Sequence, residues 1–184
     1  RILNIHGSII EGGVGFGGGL MTWAQLSAIM EPTNHTRRII GFDTFAGFPS
    51  VSEHDTAAPG MMCVDSKAEI EACAKLYDQN RFVGHIPKVE LINGDAVKTI
   101  PQYVNDNEHL VVSLLYLDFD LFAPTRQALN YFFNRMPRGA IVAFDELNMK
   151  EWSGETAAAF DMVDLHTMKL ERCAFGSTIS WAQL

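Results

Sequence analysis

The sequence has few cysteines, no long apolar run and no cluster of basic residues. Cys63, Cys73 and Cys173 lack the spacing of a metal site, and their odd number favours reduced thiols in a cytoplasmic protein over a disulfide framework. Because no stretch of about 18 apolar residues occurs, the sequence predicts no membrane-spanning helix.

Positive charge is also scarce. The 14 Lys and Arg residues are scattered, only Arg37 and Arg38 are adjacent, and the net charge is −8. Neutralising phosphates requires clustered basic residues, so we expect no nucleic-acid partner. With 184 residues and 47% hydrophobic content, the chain predicts one domain over residues 1–184. Because it enters a strand almost directly after Arg1, we expect that an N-terminal extension is missing.

Apolar strand-like runs alternate with helix-like segments along the whole chain, which predicts a Rossmann-like α/β fold with helices on both faces of the sheet. Seven strands are predicted, and only Phe175–Ser177 separates the last two. That loop is too short for a crossover helix, so we expect a mostly parallel sheet with a reversed last strand. Ser66 and Glu69 predict a capping box for the helix after the second strand.

A segment without periodicity, residues 48–62, follows the second strand and contains Pro49, Pro59 and Gly60. Loops of this length in compact domains are usually functional or mobile. We therefore predict a lid over the substrate, and a surface loop without function is the alternative.

A glycine-rich loop over residues 11–19 follows the first strand and precedes a helix. Such a loop suits either a dinucleotide pyrophosphate or the amino-acid end of S-adenosylmethionine. Glu11, at the end of the strand, favours the second alternative, because a carboxylate stabilises a nearby ammonium or sulfonium.

Two further strand ends carry acidic residues. Asp43 is expected to accept hydrogen bonds from ribose hydroxyls, and Asp95 from an adenine amino group, although Asp95 could simply cap the next helix. The complete predicted cofactor set is Glu11, Gly12, Gly13, Gly15, Asp43, Thr44, Asp95, Ala96 and Asp118.

Four carboxylates follow two apolar runs that predict neighbouring strands. Asp118 and Asp120 end the first run, and Asp145 and Glu146 end the second. Carboxylates crowded at one sheet edge repel one another unless a proton or cation intervenes, and oxygen ligands suit Mg²⁺. The pattern therefore predicts a site for Mg²⁺ or another divalent cation. Alternation along an extended strand would point Asp118 and Asp120 the same way.

Three segments resemble the macrocin O-methyltransferase family, whose members methylate sugar hydroxyls with S-adenosylmethionine. They are Gly41–Pro49, Leu117–Thr125 and Gly139–Glu146. The closest branch acts on the 3-hydroxyl of dTDP-6-deoxy-L-hexoses, which implies a sugar or nucleotide-sugar substrate. Glu146 stands where many members have Asp, and Phe122 where many have Tyr.

The resemblance also implies residue roles. Asp118, Asp145 and Glu146 fall on the metal ligands of the family, and Asp120 falls on its proposed general base. The N-terminal helices that cover substrate in relatives are absent from the sequence, so we expect that a neighbouring subunit could cover the site in a homo-oligomer.

Two alternatives stay open from the sequence. A nicotinamide-dependent nucleotide-sugar oxidoreductase would share the topology and the glycine-rich loop but would leave the four carboxylates unexplained. A non-catalytic module that binds S-adenosylmethionine is the other alternative.

Overall fold

A computed structural model of the chain describes residues 1–176 and 178–184. Within them, seven strands alternate with five α-helices, and three short 3₁₀ helices cover Ile2–Asn4, Phe133–Arg135 and Leu165–Thr167. The main elements are β1 Ser8–Gly12, α1 Gly18–Met30, β2 Ile39–Asp43, α2 Lys67–Asn80, β3 Val89–Asn93, α3 Ala96–Asp106, β4 Val112–Leu117, α4 Phe122–Phe132, β5 Ile141–Phe144, α5 Ser153–Met162, β6 Glu171–Arg172 and β7 Ser180–Gln183.

The strands form one sheet in the order β3-β2-β1-β4-β5-β7-β6. The first five pair in parallel, and β7 runs antiparallel to both β5 and β6. The predicted seven-stranded, mostly parallel sheet with a reversed last strand is therefore confirmed. Ser177, in the predicted hairpin loop, lies outside the described residues. The strand order reverses between β1 and β4, which is where ligands bind in open α/β sheets.

The core has two layers because neighbouring strand residues point to opposite faces of the sheet. Ile10 and Ile40 belong to the cluster that includes Ile100 of α3 and Leu129 of α4. The residues beside them on β1 and β2 belong to the cluster that includes α1 and α2 side chains. Helices thus cover both faces, as predicted. None of the helices in the described residues combines the length and apolarity needed to cross a bilayer.

The predicted capping box at α2 is wrong. The Ser66 side chain makes no capping bond within its own helix. Instead, its hydroxyl donates a hydrogen bond of 2.6 Å to the carbonyl oxygen of Gly15. The serine therefore ties the start of α2 to the glycine-rich loop.

Two buried cations lie at the amino ends of neighbouring strands. Arg37, just before β2, is 3% exposed, and its guanidinium contacts Glu31 at 2.7 Å and the carbonyl oxygen of Gly7 at 2.8 Å. Lys88, just before β3, is 2% exposed and donates to the carbonyl oxygen of Asn34 at 2.9 Å. Burial lowers the pKa of Lys88 to about 8. Buried positive charge is thus placed at the end of the sheet opposite the predicted site.

Candidate active site

A cavity of about 390 Å³ lies at the carboxyl ends of β1 to β4. Most predicted cofactor residues line it, namely Glu11, Gly13, Gly15, Asp43, Thr44, Asp95, Ala96 and Asp118. Asp120 lines the same cavity, next to Phe119 and Leu121. The structure therefore gathers the predicted donor residues and the predicted base around one space.

The glycines of the loop after β1 serve different purposes. A side chain at Gly12 would collide with the ring of Phe119, and one at Gly13, whose φ is 82°, would collide with the backbone of Asp118. Gly12 is therefore behind the cavity wall and lets β1 approach the end of β4. Gly15 has a φ of 51° and no atom within 4 Å of where a Cβ would stand, so it borders open space. A ligand can approach the backbone closely there.

Asp43 holds the glycine-rich loop in place. One carboxylate oxygen accepts hydrogen bonds from the backbone N–H groups of Val14 at 2.7 Å and Gly15 at 2.9 Å. The other accepts from the N–H of Phe45 at 2.7 Å. Thr44 beside it donates its hydroxyl to the carbonyl oxygen of Gly47 at 2.7 Å. Asp43 thus shapes the loop while its side chain also lines the cavity.

Asp95 caps helix α3, the alternative that the sequence left open, and it lines the cavity as well. Its carboxylate accepts from the backbone N–H of Val97 at 3.0 Å, and Lys98 lies 3.4 Å from its second oxygen.

Glu11 is a buried carboxylate without a charge partner close by. It is 2% exposed, and its Oε2 finds no hydrogen-bond partner among the described residues. Burial raises its pKa to about 8. A cationic ligand group in the cavity would stabilise the ionised form.

Three carboxylates form a group that we call the acid cluster: Asp118, Asp120 and Glu146. One oxygen of each lies within 4.8 Å of the others. Strand alternation, which was expected to align Asp118 and Asp120, does not explain this closeness. Strand β4 ends at Leu117, and Asp120 has a left-handed backbone with a φ of 62°. The two side chains instead approach each other through the irregular backbone that follows β4.

Asp145, the remaining predicted ligand, stands beside the acid cluster. Its Oδ1 accepts a hydrogen bond from the hydroxyl of Tyr116. Tyr116 also lines the cavity and lies next to Glu11 in the sheet register. The sequence analysis missed this tyrosine because nothing in its spacing marks it.

The acid cluster carries more negative charge than its surroundings stabilise. Burial, with the charge of Asp145 second, raises the pKa of Asp118 to about 8. Burial also raises the pKa values of Asp120 and Glu146. In the described part of the chain, Oε2 of Glu146 has no hydrogen-bond partner. Buried, unpartnered carboxylate oxygens at this spacing fit a divalent cation.

Glu155, on the first turn of α5, is a further buried acid that the sequence analysis did not find. It is fully buried and accepts a hydrogen bond of 3.2 Å from the backbone N–H of Glu146. The only sequence signal for Glu155 is that it lies at the start of the helix that follows Asp145 and Glu146.

The 48–62 segment supplies part of the cavity wall. Phe48, Pro49, Ser50 and Met62 line it. The ring of Phe48 also packs edge-on against Trp152, with centroids 6.4 Å apart. This position beside the cavity is compatible with the predicted lid, whose movement stays a prediction.

A comparison with protein-family models identifies the family of the chain. The model of the family described as Macrocin-O-methyltransferase (TylF) matches residues 2–172. The chain belongs to the macrocin O-methyltransferase family. It is therefore an O-methyltransferase that uses S-adenosylmethionine, and the nicotinamide and non-catalytic alternatives are set aside.

Solved structures of other methyltransferases share the fold of this chain. The calicheamicin methyltransferase CalS11 is 34% identical with a TM-score of 0.94, and the match covers 99% of this chain and 74% of that one. Apo CalS11, described as a TDP-rhamnose 3'-O-methyltransferase, is 33% identical with a TM-score of 0.85, and the match again covers 99% of this chain and 74% of that one. The O-methyltransferase NovP shares the fold at 22% identity and a TM-score of 0.63, over 98% of this chain and 72% of that one. No curated protein matches the chain.

Proposed function

We propose that this enzyme is metal-dependent and methylates a sugar hydroxyl, namely the 3-hydroxyl of a dTDP-6-deoxyhexose or a related glycoside. The observation that carries the proposal is the acid cluster, since two of its three carboxylates, Asp118 and Asp120, line the cavity that also contains the donor residues. The similarity to CalS11, described as acting on TDP-rhamnose, supports the choice of acceptor.

The donor half of the cavity suits S-adenosylmethionine. Glu11 provides a carboxylate for the ammonium or sulfonium, and the backbone around Gly15 leaves room for a close approach. Asp43 and Asp95 provide acceptors for the ribose hydroxyls and the adenine amino group, because each carboxylate oxygen can accept more than one hydrogen bond. Thr44 and Ala96 complete the wall next to them.

Asp118 and Glu146 of the acid cluster, together with Asp145 beside it, would hold the divalent cation, as the family resemblance implies, and this leaves Asp120 as the base. When bound, such a cation supplies a Lewis acid that lowers the pKa of a sugar hydroxyl and orients it. Asp145 would be held in position by the hydroxyl of Tyr116, since hydrogen bonds to a ligating carboxylate fix its direction. The backbone N–H of Glu146, bonded to Glu155, would fix the start of the turn that carries the third ligand.

Asp120 would act as the general base. Its carboxylate lies in the acid cluster and on the cavity wall, so it can reach the hydroxyl that reacts. The hydroxyl oxygen forms a bond to the methyl carbon as the carbon–sulfur bond breaks, and the hydroxyl proton passes to Asp120. The products are the methyl ether and S-adenosylhomocysteine. Holding the oxygen and the methyl group in line supplies much of the acceleration.

A methyl-transfer assay over a panel of dTDP-deoxysugars tests the proposal. We expect turnover with acceptors that carry a free 3-hydroxyl, no turnover with the matching 3-deoxy acceptor, and loss of activity in EDTA that Mg²⁺ restores. Turnover that EDTA leaves unchanged would contradict metal dependence. Turnover on the 3-deoxy acceptor would contradict the assigned position.

A further inference from the structure

The middle of the 48–62 segment is fastened to the starts of two helices. The hydroxyl of Ser153, at the start of α5, donates to the carbonyl oxygen of His54 at 2.6 Å, and the hydroxyl of Thr56 donates to the carbonyl oxygen of Glu151. The ring of His54 lies 4.3 Å from that of Phe122, centroid to centroid, at the start of α4. These contacts fix the middle of the segment against the amino ends of α4 and α5, while its ends line the cavity.

Asp55 makes the most specific of these attachments. Helix α4 begins after Leu121, a residue whose side chain cannot cap it. Oδ1 of Asp55 instead accepts a hydrogen bond of 2.7 Å from the backbone N–H of Phe122, the first residue of the helix. Oδ2 accepts from the backbone N–H of Ser52 at 2.6 Å and from its hydroxyl at 2.7 Å. A carboxylate 67 positions earlier in the chain therefore replaces the missing cap.

Asp120 lies in the short connection between β4 and α4, directly before the helix start that Asp55 holds. Only Leu121 separates Asp120 from Phe122. Asp120 has a φ of 62°, a conformation that residues with a side chain adopt rarely and keep only when the surroundings hold it. A hydrogen bond on the N–H of Phe122 is such a restraint, and it acts two residues from the carboxylate of Asp120.

Gly154 shows that this junction is closely packed. A Cβ at this position of α5 would lie 2.5 Å from the backbone nitrogen of Phe122 and would collide with Oδ1 of Asp55. A glycine in the first turn of α5 thus leaves the space in which the 48–62 segment and the start of α4 meet.

We propose that Asp55 is a positioning residue: by capping α4, it couples the seating of the 48–62 segment to the placement of the Asp120 carboxylate. This inference rests on the proposed role of Asp120 as the base. When the segment lifts, α4 loses its cap and the Asp120 turn loses a restraint. The Asp120 carboxylate is therefore held in its catalytic position only when the 48–62 segment covers the acceptor. Proton removal is thus limited to the closed site.

Three variants of the full chain test the coupling. Asp55→Ala removes the cap, Asp55→Asn keeps one oxygen for the N–H of Phe122 but cannot also accept from the N–H of Ser52, and Glu53→Ala changes an exposed acid of the same segment. We expect kcat to fall about 100-fold in Asp55→Ala, because a small misplacement of a reacting group has an effect of this size. The Kd for S-adenosylhomocysteine should stay within about twofold, since the donor half is untouched. Glu53→Ala should retain kcat within about threefold, and Asp55→Asn, which keeps the bond to Phe122, should lose less than Asp55→Ala.

Amide hydrogen exchange provides a readout that needs no turnover. Exchange in peptides covering residues 119–125 should be about tenfold faster in Asp55→Ala and unchanged in Glu53→Ala. A wild type without methyl transfer would overturn the proposed function, whereas unchanged exchange in Asp55→Ala would overturn the positioning role. That role would also be contradicted if Asp55→Ala kept kcat within threefold, if Asp55→Asn lost as much as Asp55→Ala, or if affinity for S-adenosylhomocysteine fell together with kcat.

Discussion

The acidic residues of the donor half of the cavity and those of the acceptor half, where the acid cluster lies, have opposite surroundings. Asp43 accepts three backbone hydrogen bonds, and Asp95 caps a helix. Asp118 and Glu146 are instead crowded by other carboxylates, and Oε2 of Glu146 has no partner among the described residues. Asp43 and Asp95 use their oxygens to hold the backbone in place. Asp118 and Glu146 are available for the cation that we propose.

Glu11 is the informative exception in the donor half. It is buried, and its Oε2 lacks a hydrogen-bond partner in the described part of the chain, much like the acids of the acceptor half. Its position matches a ligand that itself carries positive charge, as S-adenosylmethionine does. Satisfied acids thus hold the scaffold of this cavity, and the unsatisfied acids Glu11 and Glu146 stand where we propose that cations bind.

The largest effect should come from exchanging one acid in each half. In Asp118→Asn we expect kcat to fall about 1,000-fold, because a lost metal ligand removes several kcal/mol of transition-state stabilisation. In Asp43→Asn, an amide can no longer accept from all three N–H groups, so the KM for S-adenosylmethionine should rise about tenfold with a smaller change in kcat. Steady-state kinetics with each substrate varied in turn measures both.

A Mg²⁺ titration serves as the control for this pair. Asp43→Asn should keep the Mg²⁺ requirement of the wild type, whereas Asp118→Asn should need more Mg²⁺ for its residual activity. Two variants with the same kinetic profile would contradict the division of the cavity into a structural and a cation-binding half.

An intermediate effect is expected in the pH dependence of stability. Because the folded pKa of Asp118 is raised to about 8, the folded state holds a proton there that the unfolded state has released above pH 4. The free energy of unfolding without metal should therefore fall as the pH rises from about 4 to 8, and each kcal/mol lost lowers Tm by about 2–4 °C in a domain of this size. Mg²⁺ should remove most of this fall.

Thermal unfolding at several pH values, with Mg²⁺ and with EDTA, measures the effect. Asp118→Asn is the matched control, because it lacks the titrating group and should show a weaker dependence on pH. A Tm without metal that rises steadily from pH 5 to 8 would contradict a raised pKa of Asp118 in the folded state.

The smallest effect should come from Asp95, a satisfied acid. Asp95→Ala removes the cap of α3 and should lower the free energy of unfolding by about 1 kcal/mol, while Asp95→Asn should change it by a few tenths. Urea denaturation of the two variants against wild type measures the difference. Equal losses in both variants would indicate that the charge, rather than the cap, stabilises this position.

The sheet and the general place of the cavity could be predicted from the sequence because they follow from local patterns. Strand-like runs, a short connection before the last strand and acids at successive strand ends each depend on neighbours in the chain, although the connection covers residues 173–179 rather than the three residues predicted. The same reasoning gathered Asp43, Asp95 and Asp118 at one edge of the sheet, where the structure has them.

The rest depends on contacts between distant segments. Ser66 bonds to Gly15 rather than to its own helix, and Asp55 caps a helix that begins far along the chain. The hydrogen bond from Tyr116 to Asp145 joins two strands whose relative register had to be known first. No sequence pattern marks such pairs, because each partner has an ordinary local role that it would be expected to fill.

The buried cations before β2 and β3 and the carboxylates of the cavity lie at opposite ends of the strands. Arg37 and Lys88 lie at one end of the strands, and Glu11 and the acid cluster lie at the other, within a chain of net charge −8. At a net charge of −8, we expect the chain as a whole to attract cations and repel anions at low ionic strength. S-adenosylmethionine carries net positive charge and a nucleotide sugar carries negative charge, so added salt should slow the arrival of the first and hasten that of the second.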